Sequence, residues 1–478
     1  MKNIFYKITV LALVVGAFTS CDDKLDQVPF DEFGTENAYV TAADYENAIR
    51  GVYRTLTFGP FYGGSDAGGM LDAPDVLADN VTFAQRGRGT RRALHNWQYG
   101  ASDEPMGGLY QRAYQLIYRA NLLLSKSETY EGENKANIVA EAKALRALAN
   151  FDLITFFGKI PTQSADANGS LGIAYVTEPE PLIEPARETV GVVYDKIAQD
   201  LSEALVDIND TNGEARMGKD AVRILLSRVY LYMGQWQNAI NAANGISIPV
   251  APRADVVDVW EDTSRAGLAF YIPNELPILG LNIGVTWSQG GLTNLIPEYV
   301  VSYELYQLFE SDDIRKEAYI FQAANNSDNL EFNAIKKLYG RPGQSNGQVD
   351  IKIFRAAEAY LNMAEAYYNL GQEGQARTAL DVVRTKRYTT PPSGETGTAL
   401  RDAIRLERRL EFAFEYQRFF DLKRWGLPVE RESFGDLADG SGTASDQLTL
   451  PAGSIKFQLP IPLSAMDLNP NLVQNPGY

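Results

Sequence analysis

LLSRVYLYMGQWQNAINAA (Leu225–Ala243) and YLNMAEAYYNLGQEGQARTALDVV (Tyr360–Val383) are two versions of one pattern. Gly234 aligns with Gly371, and the same offset brings Ala239 onto Ala376; Tyr230 and Tyr367 stand four residues before the glycines. Glycine ends a helix readily because it adopts a left-handed backbone, and small alanines let the following helix approach closely. Each copy therefore predicts a helix–turn–helix of the tetratricopeptide type. The copies are not in tandem, which excludes a simple solenoid and points to a compact body built around several such pairs.

Helical periodicity extends outward from this repeat. It starts near Thr41, an N-cap, with Tyr45, Ala48, Ile49 and Val52 on one face. It returns at Met106–Ser125, Lys135–Phe157, Thr189–Leu205, Lys219–Asn244, Val300–Phe309, Arg355–Thr385 and Gly397–Trp425. Phe58–Asp103 and Ile246–Pro297 are loop-rich, and the chain from Glu430 onward is irregular, with a short strand signal at Lys456–Leu459. The expected fold is mostly α: a single globular body of tetratricopeptide-like helix pairs with long ligand-binding loops on one face. Residues 1–20 form a signal peptide and 21–37 a lipidated tether; 38–245 and 246–478 are two parts of one interleaved unit.

The N-terminus directs the chain outward. Lys2 and Lys7 precede the apolar run Ile8–Phe18, which is shorter than the roughly 20 residues needed to span a bilayer. Thr19 and Ser20 then lead into Cys21, the one cysteine of the chain, as in a bacterial lipoprotein signal whose cysteine is lipidated. With Cys21 acylated, no thiol remains for a disulfide, a nucleophile or a metal site. A net charge of −17 argues against nucleic acid, which demands a basic face. The single histidine, His95, excludes a His-rich metal centre, and no cofactor is expected.

Several stretches together resemble the RagB/SusD family of outer-membrane nutrient-binding lipoproteins. They are CDDKLDQVPFDEF (Cys21–Phe33), YRANLLL (Tyr118–Leu124), AEAKALRALANFDLITFFGKIP (Ala140–Pro161), ERRLEFAFEYQRFFDLKRWG (Glu407–Gly426) and LPIPLSAMDLNPNLVQNPGY (Leu459–Tyr478). The resemblance implies a lipid-anchored protein on the outer face of the outer membrane. It would capture glycan or peptide for a partner SusC-type TonB-dependent transporter and carry no catalytic activity. Asp22 and Asp23 fit the surface-export signal of that group.

Glu407, Glu411, Glu415 and Asp421 raise the possibility of a glycosidase carboxylate pair. Arg408 lies three residues from Glu411, and Arg418 three from both Glu415 and Asp421, so the helix reads instead as a structural ion-pair ladder. Trp260 and Trp425 read as core. Ligand contacts are expected from loop aromatics, whose flat faces suit sugar rings, and from nearby polar groups that bind hydroxyls. The candidates are Tyr62, Asp72, Asp79, Asn80, Arg86, Trp97 and Trp287. The function expected is surface glycan capture; the alternatives are a peptide cargo, a surface glycoside hydrolase, or an assembly scaffold.

Overall fold

The computed structural model describes residues 38–64, 69–275, 279–291, 294–341 and 347–478. Cys21, the signal and the tether lie outside the described residues. Helix α1 (Ala42–Leu56) begins at a capping box: Thr41 accepts from the Asp44 amide, and Asp44 accepts in return from the Thr41 amide at 2.7 Å. Tyr45, Ile49 and Val52 are buried along it, on the face their spacing predicts.

Helices α2 (Gly107–Ser127), α3 (Lys135–Phe157), α4 (Val190–Asp207), α5 (Lys219–Tyr232) and α6 (Trp236–Ala243) follow, each packed on its predecessor. Helix α3 is apolar on nearly every side and runs through the core, as a helix without a polar face must. Then come α7 (Tyr303–Leu308), α8 (Ala356–Asn369), α9 (Glu373–Arg384), α10 (Gly397–Glu411) and α11 (Arg418–Arg424).

The repeat behaves as its sequence requires. Gly234 and Gly371 have φ of 71° and 72°, and each turn closes in the same way, Gln235 onto Tyr230 and Gln372 onto Tyr367. The two copies, remote in sequence, are neighbours in space: α8 packs on both α5 and α6. Arg228 of α5 donates to both oxygens of Glu358 in α8, at 2.5 and 2.7 Å, with both side chains buried.

Five short antiparallel strand pairs decorate the helices among the described residues, one of them joining β2 (Leu268–Ile272) to β8 (Ile351–Arg355). One decides the layout of the loops: β1 (Val81–Phe83) pairs with β5 (Tyr299–Val301), so the two inserted loop regions share one face. Strands β3 (Ser288–Gly291) and β4 (Asn294–Pro297) form a hairpin beside it. A second hairpin pairs β6 (Ile320–Ala324) with β7 (Glu331–Ile335). The strand expected at Lys456–Leu459 is absent; Ile455–Phe457 is a single helical turn capped by Ser454.

The expected continuous helix from Gly397 to Trp425 is broken between Glu411 and Arg418, where Phe414 and Tyr416 adopt φ of 63° and 57°. The charges there are structural, and most pair across elements rather than along one helix, the Arg424–Asp421 pair within α11 being local. Arg408 reaches Asp421 at 3.2 Å, Arg418 reaches Asp79 at 2.7 Å, and Glu411 accepts from Arg315, Arg355 and Arg387.

Asp152 of α3 is buried with one oxygen bound by the Tyr62 hydroxyl at 2.9 Å and the other without a partner among the described residues. Burial pushes its carboxyl up to about 7, against the Tyr62 hydrogen bond and the nearby Arg228. An ordinary unfolded aspartate titrates near ~3.9. The native state therefore holds this proton more tightly, and its contribution to stability is present at low pH and lost as pH rises from about 4 to about 7. Asp152→Asn, which cannot ionise, should melt several degrees above the parent at pH 8 and close to it at pH 5. Equal shifts at both pH values in scanning calorimetry would refute this.

Candidate functional site

The loop aromatics and polar residues singled out from the sequence converge on one side of the body, but six of the seven side chains point inward. Tyr62 is buried against Tyr416 and bonded to Asp152. Asp72 takes the guanidinium of Arg91 and, at 2.8 Å, the hydroxyl of Thr286. Asp79 is clasped by Arg418 through two bonds of 2.7 Å, with Arg409 at 3.4 Å. Burial alone would raise its carboxyl; the two arginines hold it well below the usual range instead. Asn80 donates to Asp75 and accepts from Arg409.

Trp97 donates its indole N–H to the Leu77 carbonyl at 3.0 Å, with the Arg431 guanidinium 4.1 Å from its ring centre. Trp287 is wedged edge-on between Tyr299 and Phe414. All six are buried: five bind their polar atoms to helices or to other loop residues, while the Trp287 indole N–H has no partner among the described residues. The physical reason is desolvation, since a loop crossing the core must bring its own partners for every buried polar group. Only Arg86 reaches the surface, 53% exposed and paired at 2.6 Å with Asp328 in the β6–β7 turn.

His95 is likewise interior, between the Val76 carbonyl and the Ser445 hydroxyl, each at 2.9 Å. Burial and the neighbouring Arg431 lower its pKa well below the ordinary value, so it is neutral. Among the described residues no cluster of three or more His, Cys, Asp or Glu side chains could hold a metal.

Above this framework lies a partly exposed aromatic patch. Tyr303 and Tyr306, three residues apart on α7, present nearly parallel rings, 19° between planes and 6.1 Å between centres. Phe434, 39% exposed, meets Tyr303 edge-on at 5.1 Å. Gly440 lies against the Tyr303 ring, where any side chain would collide with it. Lys316 covers Tyr306 with its ammonium 4.2 Å from the ring centre.

Two open hollows of about 380 and 400 Å³ border the patch and share Gln322. Asn329, Glu331 and Asp439 line one; Lys316 and Glu317 line the other. The Asp328–Arg86 pair ties the hairpin turn beside Asn329 to the first loop region. Flat apolar rings flanked by amide, carboxylate and ammonium groups form a surface that can stack a sugar ring and bind its hydroxyls. The i,i+3 spacing of the two tyrosines was visible in the sequence. Their exposure was not, because it depends on where the β6–β7 hairpin and residues 434–440 come to rest.

A larger hollow of about 610 Å³ lies between α2, residues 174–185 and the C-terminal tail. Its walls are Tyr110, Ile117, Pro181, Pro462, Leu468 and their neighbours. Some of its polar groups are committed: the Tyr114 hydroxyl to the Ala174 carbonyl, Asn469 to Pro185, and Ser464 to Glu104. Size alone does not make it the better sugar site, because a sugar needs free hydrogen-bonding partners. No helix among the described residues is long and apolar enough to cross a membrane.

Residues 322–478 match the SusD family model, and residues 72–231 match a family described as starch-binding, associating with the outer membrane. A SusD-like protein of Formosa agariphila is 26% identical over 526 aligned positions, covering 99% of both chains. The starch-binding protein SusD of Bacteroides thetaiotaomicron is 31% identical over 129 positions, 27% of this chain and 22% of its own. The crystal structure of a SusD superfamily protein from Bacteroides thetaiotaomicron superimposes with a TM-score of 0.80 at 26% identity, covering 91% of this chain and all of that one. With matches in both parts of the body, a relative aligned from end to end and a shared three-dimensional fold, this chain belongs to the SusD family.

Proposed function

We propose that this protein is a cell-surface glycan-binding lipoprotein that captures oligosaccharide on the Tyr303–Tyr306–Phe434 patch and passes it to a SusC-type TonB-dependent transporter. It acts without chemistry of its own, anchored to the outer membrane through Cys21 and facing the exterior. The observation that carries the reading is the partly exposed pair of near-parallel tyrosine rings, bordered by Glu317, Asn329 and Glu331 above a rigid, ion-paired base. Its support from relatives is the starch-binding description of one matching family and of one relative.

In this reading Tyr62, Asp72, Asp79, Asn80, Trp97 and Trp287 hold the loops in place, and Arg86 positions the rim through Asp328. A preformed, rigid surface spares a flexible sugar chain part of the ordering cost of binding.

The test is affinity electrophoresis and calorimetry of the lipid-free mature protein against starch and a panel of other glycans. One glycan class should bind with no product formed. Tyr303→Ala and Tyr306→Ala should each weaken it by about tenfold, the loss expected for an aromatic contact of about 1.5 kcal/mol. Binding unchanged in both variants would remove the patch from the mechanism, and silence across the panel would favour a peptide cargo.

A further inference from the structure

A second cavity, of about 310 Å³, opens where the turns of the two helix-pair repeats meet α10 and α11. Trp236 follows the first repeat's turn glycine, and Tyr368 and Asn369 precede the second's. Trp425 closes the wall, and Arg401 and Arg405 project from α10. Trp425 is thus only partly buried, contrary to its reading as core.

Three features distinguish this cavity from a packing defect. The first is Arg405. Its guanidinium lies 4.7 Å from the Trp425 ring centre and has no hydrogen bond or ion pair among the described residues. The nearby carboxylate, Glu365, is already committed: Arg424 donates to its two oxygens at 2.5 and 2.7 Å, and the Trp425 indole at 2.8 Å. Burial lowers the Arg405 pKa, opposed by Glu365 and reinforced by the neighbouring Arg401 and Arg424.

The second is the Thr162 hydroxyl, which is buried and has no partner among the described residues. The third is the pair of tryptophans, which supply broad apolar walls to a space far larger than a bare inorganic anion needs. An arginine half out of water with no acceptor is costly to keep unless something supplies one.

We infer that this cavity is a second binding site, which takes a sugar ring bearing a single carboxylate, such as a uronic acid unit. The carboxylate accepts from Arg405 and Arg401, the CH face of the ring lies against Trp236, and Asn369 and Thr162 meet its hydroxyls. Glu365 in the same wall disfavours a ligand carrying several negative charges. The site is built from the helix-pair turns rather than from the loop face, so it stands independently of the tyrosine patch.

The probes are galacturonate and glucuronate, with galactose and glucose as neutral controls, followed by calorimetry and by tryptophan fluorescence. The uronates should bind and the neutral sugars should bind at least about tenfold more weakly, as expected for a hydrogen bond to a charged group. Arg405→Ala should remove that preference, and Arg405→Lys should retain part of it. Arg405 braces no other described side chain by hydrogen bond or ion pair, so these variants should fold, with an unchanged melting temperature as the check.

Tyr303→Ala should leave uronate binding intact, which separates this site from the patch. Equal affinity for charged and neutral sugars, no uronate binding at millimolar concentration, or uronate binding insensitive to Arg405→Ala would overturn the assignment. Displacement of uronate by an acidic peptide that binds more tightly would overturn it as well.

Discussion

Glu411→Ala is expected to destabilise the protein by about 3–5 kcal/mol, the cost of breaking a buried ion-pair cluster from one side. Glu411 is fully buried and accepts from Arg355 at 2.7 Å, from Arg387 at 2.8 Å through each oxygen, and from Arg315 at 3.3 Å. Burial alone would raise its carboxyl, yet Arg387, Arg355 and Arg315 hold it well below the usual range. Without it, three buried guanidiniums keep their other partners: Asp313, Glu407 and the Tyr388 hydroxyl for Arg315, Glu415 and the residue-411 backbone carbonyl for Arg355, and the Ala251 and Lys386 carbonyls for Arg387.

Domains are commonly stable by only about 5–15 kcal/mol, so a change of this size takes a large fraction of the total. Urea unfolding should show a lower midpoint with the slope retained. A shift worth less than about 1 kcal/mol would mean that the cluster relaxes and is not essential to the fold. The cluster joins residues from Asp313 to Glu415, so this variant should also loosen the support beneath the tyrosine patch.

Asp75→Ala should cost about 3 kcal/mol or more, from buried donors left without acceptors. Asp75 accepts from the Asn80 side chain at 2.8 Å and from the backbone amides of Phe414 and Tyr416 at 3.3 and 3.2 Å. Those two residues hold the left-handed backbone that breaks α10 from α11. Such conformations persist in bulky residues only when their surroundings enforce them. Asp75→Asn should recover part of the loss, since its one carbonyl oxygen can serve only some of the three donors.

Burial pushes the Asp75 carboxyl up to about 6 against these hydrogen bonds. Its contribution to stability is therefore present at low pH and lost as pH rises from about 4 to about 6. Hydrogen exchange at the 412–417 break provides the specific reading. Protection there should fall in Asp75→Ala more than it falls in α3, and uniform loss across the chain would refute the local role.

Elements set by nearby residues were legible in the sequence. The Thr41 cap, both ends of α3 and the two turn glycines follow from rules that act within one or two helical turns. The paired repeats predicted helix hairpins, and their side-by-side packing follows from the need of each pair to bury an apolar face.

Side-chain direction in the loops was not legible. Trp97, Asp79 and Asn80 have the composition of a sugar site, but Arg431, Arg418 and Arg409, more than three hundred residues later, take them as partners. The charged helix illustrates the same limit. The i,i+3 spacing of Arg418 to Glu415 and Asp421 was a sound local reading, and Asp79 from the first loop displaced it.

Fold class and helix pairs are readable along the chain, because local backbone preferences and apolar periodicity are properties of short segments, and the family is readable from its motif stretches. Tertiary structure alone decided which aromatics reach water. It turned Trp97 and Trp287 inward, raised Tyr303, Tyr306 and Phe434 to the surface, and left Arg405 beside Trp425 without an acceptor among the described residues. The reason is that a polar or aromatic side chain can satisfy its contacts with the protein or with a ligand. Which of the two it does depends on neighbours that only the folded chain brings within reach.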